Sequence, residues 1–350
     1  MENPFEALNK EFVETSEKLS KSFKMLSEVE SVDIATAEKH LVWQEDNMKL
    51  YRYQNDNITC KVPVLIVYAL VNTYQMMDLQ PDRSLIRKLL SQGLDVYLID
   101  WGQVNSAQRY LSLNDYINGY VDNSVDFIRK AHSIPKVNLL GVCQGGTFSL
   151  IYSALHPEKV KNLSTLVTPV DFSVNDGLLF RWSKYLDVDK IVDGHGGVIP
   201  GKFLDSAFDM LKPLGKTRKY NGIANVFDDN AKLMNFLRME KWVSDTPNLA
   251  GECYRQFIKD LYQNNKLIKG ELELDGEKVN LKNVTMPVIT IYAAEDHIVP
   301  PSATKPINDY IGSEDKQLYE FPGGHIGVFV GARSQKELSP VLAEWYKSRS

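Results

Sequence analysis

Short apolar runs recur along the chain, spaced by segments whose apolar positions follow a helical period. The run at 64–71 (Val-Leu-Ile-Val-Tyr-Ala-Leu-Val) is nearly continuous, as expected of a strand buried on both faces. Runs at 96–99, 137–140, 163–167 and 287–293 repeat the pattern, 316–321 reads as the final strand, and residues 41–62, with Trp43, Leu50, Tyr51 and Tyr53 among polar neighbours, read as early strands. Between them, 82–92 places Leu85, Ile86, Leu89 and Leu90 on one helical face, and Gly93 closes it. The spacing predicts a second helix over 113–132, with Ser112 or Asn114 as its cap, and a third after the run at 137–140. The third ends at His156-Pro157, where His156 reads as a helix-end residue. A last helix over 335–347 is expected to cover the sheet edge. Strands alternating with helices at this spacing predict a mostly parallel α/β sheet with helices on both faces.

The rhythm breaks over 172–283, where helical and irregular segments carry aromatics that read as exposed, among them Phe180, Trp182, Tyr185, Phe236 and Trp242. This stretch is read as an inserted cap that selects substrate and gates access. The predicted organisation is an N-terminal amphipathic helical segment (1–40), a core of 41–171 and 284–350, and the cap at 172–283. In the first segment Phe5, Phe12, Leu19 and Leu26 lie seven residues apart. Such a stripe either packs across the body or docks on a partner or surface.

Composition narrows the functional classes. A formal charge of -5 over 350 residues gives no reason to expect nucleic acid. Cys60, Cys143 and Cys253 are few and far apart, so no disulfide framework is implied. The start Met1-Glu2-Asn3-Pro4 lacks the blocks of a signal peptide, and no apolar run approaches a membrane span. The expected location is cytoplasmic.

The chemistry gathers at Gly141-Val142-Cys143-Gln144-Gly145-Gly146. A strand, a glycine-lined turn and a helix form the context of a nucleophile elbow, with cysteine where serine is usual. The glycines are needed because flanking side chains would collide at so tight a turn. Downstream, Asp296 follows the run at 287–293, and His325 lies in Pro322-Gly323-Gly324-His325 after the last strand. The order Cys143, Asp296, His325 matches nucleophile, acid and base of an α/β-hydrolase fold. Asp296 is preferred as the acid over Glu295, and His297 is a candidate for an accessory role. Backbone N–H groups near Val71 and at Gln144 are expected to form the oxyanion hole. Asp100, past another strand end, has some claim to a role; His195 in Asp193-Gly194-His195-Gly196-Gly197 has little. No metal or nucleotide cofactor is expected, since the histidines are dispersed and no phosphate-loop spacing occurs. A thiolate paired with His325 would form a thioester, and exchange between thioesters is nearly isoenergetic. Such a site is suited to accepting an acyl group and passing it on.

These residues resemble the polyhydroxyalkanoate synthases, particularly the catalytic subunit of the two-subunit class III enzymes. The resemblance rests on the elbow with Gln144 after the cysteine, on Leu94 to Gly102 (LDVYLIDWG) and on Asp115 to Tyr120 (DYINGY). It continues through Val167 to Phe172 (VTPVDF), Asp296 to Pro300 (DHIVP) and Gly323-Gly324-His325. It implies polymerisation of (R)-3-hydroxyacyl-CoA, 3-hydroxybutyryl-CoA foremost, with release of CoA. Cys143 would carry the growing chain, His325 would activate it, and Asp296 would assist and help activate the incoming 3-hydroxyl. It further implies a second, non-catalytic (PhaE-like) subunit, self-association, and residence on polymer granules. The enzymatic alternative is a Cys-Asp-His hydrolase of the dienelactone hydrolase type, which is shorter and lacks the cap. A catalytically silent binding protein is the alternative outside enzymes.

Overall fold

The computed structural model describes residues 31–211 and 229–349. Its centre is an eight-stranded sheet. The strands are β1 (Lys39–Glu45), β2 (Met48–Tyr53), β3 (Val64–Val67), β4 (Val96–Asp100), β5 (Val137–Val142), β6 (Val160–Leu166), β7 (Val288–Ala293) and β8 (Lys316–Phe321). They lie in the order β1-β2-β4-β3-β5-β6-β7-β8. β1–β2 and β2–β4 are antiparallel, and every pair from β4 to β8 is parallel. This mainly parallel sheet, flanked by helices, is the α/β-hydrolase arrangement that the periodicity predicts.

Successive side chains of a strand face opposite sides, and the central strands are apolar on both. Leu65, Val67, Ile99 and Leu139 join one buried cluster with Val125 and Ile128 of α2 (Asp122–His132) and with Phe148 and Ile151 of α3 (Gln144–Leu155). Val64, Ile66, Leu98, Leu140 and Ile291 join another with Leu85, Ile86 and Leu89 of α1 (Leu85–Ser91). The C-terminal helix Ser339–Lys347 belongs to that second cluster through Leu342, Trp345 and Tyr346, and Tyr346 donates to Leu139 O at 3.1 Å. It therefore covers a face of the sheet, not the edge expected from its position after the last strand. Full burial of β3, with no exposed face, is why its sequence reads as an unbroken apolar run.

Helix starts follow local hydrogen bonding. Ser84 caps α1 by accepting from Arg87 N at 2.9 Å, and Gly93 leaves it at φ +81°. The helical run ending in α2 is capped at Ser112: Ser112 N donates to Asp115 Oδ2 at 2.7 Å and Asp115 N donates to Ser112 Oγ at 3.3 Å. Asn114 makes no side-chain cap bond. Two bonds in reciprocal arrangement satisfy N–H groups that a helix start leaves open.

Between β6 and β7 the described residues add no strand to the main sheet. They form α4 (Leu178–Ser183), α5 (Val188–Gly194), α6 (Gly201–Leu211), α7 (Asn230–Ser244), α8 (Gly251–Gln256) and a small strand pair joining Leu249 and Ala250 to Ile199 and Val198. The aromatics here divide. Trp182 and Tyr185 are exposed, whereas Phe180 and Trp242 are buried, contrary to their reading as exposed. Their segments lack a clean period, so burial from the third dimension left no mark along the chain. The stripe of Phe5 to Leu26 lies outside the described residues.

Candidate active site

Chain direction across the sheet reverses around β3: the β3–α1–β4 connection moves one way, and the β4–α2–β5 connection returns to the other side. A crevice opens at the strand C-termini beside such a reversal. Cys143 sits there, directly after β5, at φ 52° and ψ -120°. A non-glycine residue in this region is strained by about 1–3 kcal/mol. The neighbouring glycines permit the turn. A Cβ at Gly145 would lie 2.1 Å from Val67 O, and one at Gly146 would lie 1.8 Å from Thr168 Oγ1. No side chain fits either gap. The elbow is fastened by Cys143 N donating to Leu166 O at 2.8 Å, and Thr147 Oγ1 donating to Pro169 O at 2.8 Å. The thiol is half-buried.

Two distant loops converge beside it. β7 delivers Asp296 and β8 delivers His325, and His325 Nδ1 donates to Asp296 Oδ2 at 2.7 Å, both side chains buried. Asp296 Oδ1 accepts from Ile298 N and Val299 N, each at 2.9 Å. The carboxylate is thus held by three donors and aims one oxygen at the imidazole. Glu295 and His297 are exposed, and the acid hydrogen-bonded to the ring is Asp296. With Nδ1 occupied, Nε2 is the nitrogen left for Cys143.

Electrostatics favour a protonated ring. Burial alone pulls the His325 pKa down, but the Asp296 charge and hydrogen bond, with a hydrogen bond and charge from Cys143, outweigh it and push it up to about 10. The proton on the ring is favoured from two sides, by Asp296 and by Cys143.

Gln144, at the first position of α3, has a backbone N–H without an intrahelical acceptor. Its side chain adds something the sequence did not disclose: Gln144 Oε1 accepts from Leu70 N at 3.1 Å, tying the loop after β3 to the elbow. β3 ends at Val67, four residues short of the apolar run, so Tyr68 to Val71 form that loop. Trp101 Nε1 donates to Tyr68 O at 2.9 Å. Val71 follows Leu70, next to Asn72 in a left-handed conformation at φ +61°. On its outer side the loop borders a cleft of about 630 Å³ whose walls include Lys49, Asp100 and Asp245 but not Cys143.

Tyr68 and Tyr262 also adjoin Cys143: burial first, and then the neighbouring Cys143, raise the pKa of both hydroxyls. Tyr262 belongs to a buried aromatic group with Phe172, Phe180 and Phe257, with ring centroids 4.9 to 5.9 Å from its own. No spacing ties residue 262 to residue 143, so this wall was not legible in sequence. The other candidates lie apart from the thiol. Asp100 Oδ1 accepts from Gly102 N at 3.1 Å, His156 pairs with Asn118 Oδ1 at 2.9 Å, and His195 closes α5 against Ile191 O at 2.8 Å. Among the described residues no cluster of acids, histidines and cysteines is arranged to hold a metal ion, and no helix is long and apolar enough to cross a membrane.

Comparison with known proteins agrees with this fold. Residues 62–332 match the family described as alpha/beta hydrolase fold, and residues 3–89 match that of the poly-beta-hydroxybutyrate polymerase (PhaC) N-terminus. The chain is 49% identical to the poly(3-hydroxyalkanoate) polymerase subunit PhaC of Allochromatium vinosum over 98% of its own length and 97% of the relative's. It is 47% identical to the protein of that name from Thiocystis violacea, over the same shares. Among solved structures, the monoacylglycerol lipase of Paleococcus ferrophilus superposes with a TM-score of 0.52 at 16% identity, covering 86% of this chain and 99% of that one, a likeness of fold alone. The chain belongs to the PhaC family of poly(3-hydroxyalkanoate) polymerases, acyltransferases on an α/β-hydrolase fold.

Proposed function

We propose that this chain polymerises (R)-3-hydroxyacyl-CoA, with 3-hydroxybutyryl-CoA the foremost monomer, through a thioester on Cys143. The observation that carries the reading is the strained elbow cysteine facing a buried His325–Asp296 pair. His325 takes the thiol proton, and Asp296 holds the tautomer and stabilises the imidazolium. The Cys143 sulfur attacks the acyl carbon, and the oxyanion is held by the backbone N–H groups of Gln144 and Val71. As the carbonyl reforms, the bond to the CoA sulfur breaks, and His325 returns the proton to that leaving thiolate. CoA departs and Cys143 carries the acyl group.

Elongation needs a base for the 3-hydroxyl of an incoming or resident unit. Acylation removes the thiolate, and with it two of the influences that raise the His325 pKa. The ring then returns toward neutrality and can accept the hydroxyl proton, with Asp296 still holding it. One buried histidine thus serves as imidazolium partner before acylation and as base after it. The apolar wall of Phe172, Phe257 and Tyr262 favours transfer over hydrolysis by excluding water.

A second subunit and a granule surface are part of the proposal; the name of the relatives, polymerase subunit, supports an assembly of more than one chain. Incubation of the chain with 3-hydroxybutyryl-CoA, alone and with a PhaE-like subunit, tests the activity. The expected result is CoA release with insoluble polyester, and neither from Cys143→Ala. CoA release with free hydroxy acid alone, under both conditions, would instead favour the hydrolase.

A further inference from the structure

The loop after β3 is gripped from the segment between β6 and β7 at the two residues following Val71. Trp242 of α7, buried at 4% exposure, donates from Nε1 to Thr73 O at 2.8 Å. The Thr246 hydroxyl, just past α7, lies within hydrogen-bonding reach of Asn72 Oδ1 and of Asp205 Oδ1 on α6. On the preceding side, Gln144 Oε1 holds Leu70 N and Trp101 holds Tyr68 O. Val71 is therefore bracketed: the elbow fixes the backbone before it and α7 fixes the backbone after it. Asn72 takes the left-handed conformation that asparagine tolerates. The Val71 N–H lies in the Leu70–Val71 peptide plane, and the short backbone carrying that plane is held at Leu70 before it and at Asn72 and Thr73 after it. α7 is itself tied down on its other side: Arg238 donates to Asp33 O at 2.9 Å, ahead of β1, and to the buried Gln80 Oε1 at 3.2 Å.

We infer that Trp242 and Thr246 are positioning residues for acyl transfer: by holding Thr73 O and the Asn72 side chain, they set the Val71 N–H in the geometry that receives the oxyanion. This rests on the reading of Cys143 and Val71 given above. Neither side chain touches the reacting atoms. Their effect is confined to steps that develop charge on a carbonyl oxygen, where small displacements of a donor cost rate steeply.

That confinement supplies the test. Cys143 reacts with an acyl-CoA through an oxyanion, but with iodoacetamide by displacement at a saturated carbon, which needs none. Single-turnover acylation by 3-hydroxybutyryl-CoA and alkylation by iodoacetamide are measured on the full chain for wild type, Trp242→Phe, Thr246→Val and Thr246→Ser. Phenylalanine keeps the buried ring and deletes only the donor. Expected are acylation about tenfold slower in Trp242→Phe and Thr246→Val, unchanged alkylation, and recovery of the acylation rate in Thr246→Ser. Acylation and alkylation slowed together would overturn the inference, because the whole elbow would then be disturbed. Unchanged acylation in both variants would overturn it as well. A wild-type chain that alkylates but never acylates Cys143 would instead refute the underlying reading.

Discussion

At the scale of single residues, the account turns on which acid holds His325 and on how that ring's charge responds to its neighbours. Asp296→Asn removes the charge that stabilises the imidazolium and disturbs the tautomer. CoA release is expected to fall by about a hundredfold or more. Glu295→Gln, altering an exposed side chain, should stay within about twofold. Equal losses in the two variants would contradict the assignment. Alkylating Cys143 with neutral iodoacetamide removes the thiolate, so the His325 pKa, followed by NMR, is expected to move down from its position near 10. A pKa that stays in place would show that Cys143 does not contribute to it. Cys143, Asp296 and His325 were legible because each follows a recognisable strand and lies in a distinctive loop. The side chain of Gln144, the ring of Tyr262 and the indole of Trp242 were not. Their roles arise from contacts across 74 residues for Gln144 and 169 for Trp242, which no local pattern records.

At the scale of elements, the elbow is constrained by backbone meeting backbone. A methyl at Gly145 would lie 2.1 Å from Val67 O and 2.5 Å from Tyr68 O, and no rotamer change relieves a clash with a carbonyl. Gly145→Ala should destabilise the fold by about 1–3 kcal/mol in urea titration, and an unshifted midpoint would mean that β3 yields easily. Ser112→Ala removes one half of a reciprocal cap and is expected to cost about 1 kcal/mol. The strands themselves were readable because β3 to β7 are buried on both faces, which leaves long apolar runs. The same signal overran at 68–71, where Tyr68, Ala69 and Leu70 are buried in a loop as fully as residues of a strand. Apolarity records burial, and burial does not distinguish extended ladder from packed loop. The last helix was expected at the sheet edge from its position after the last strand, yet Tyr346 reaching Leu139 O sets it on a face.

At the scale of the whole molecule, the buried pair should couple stability to pH. A histidine whose folded pKa is raised binds its proton more tightly in the folded than in the unfolded chain. The resulting stabilisation is complete below the unfolded value near 6.5 and is lost as pH rises toward about 10. In urea titrations, the stability advantage of wild type over His325→Gln is therefore expected to shrink steadily from pH 6.5 to 10. An advantage that grows with pH would reverse the sign and contradict the imidazolium assignment. The most direct test of the account is to locate the growing chain. Brief incubation with 3-hydroxybutyryl-CoA, acid quench and peptide mass spectrometry should find acyl groups on the Cys143 peptide, forming a ladder spaced by one monomer. Polymer made with that peptide unmodified, or with the ladder on another residue, would contradict covalent catalysis at Cys143.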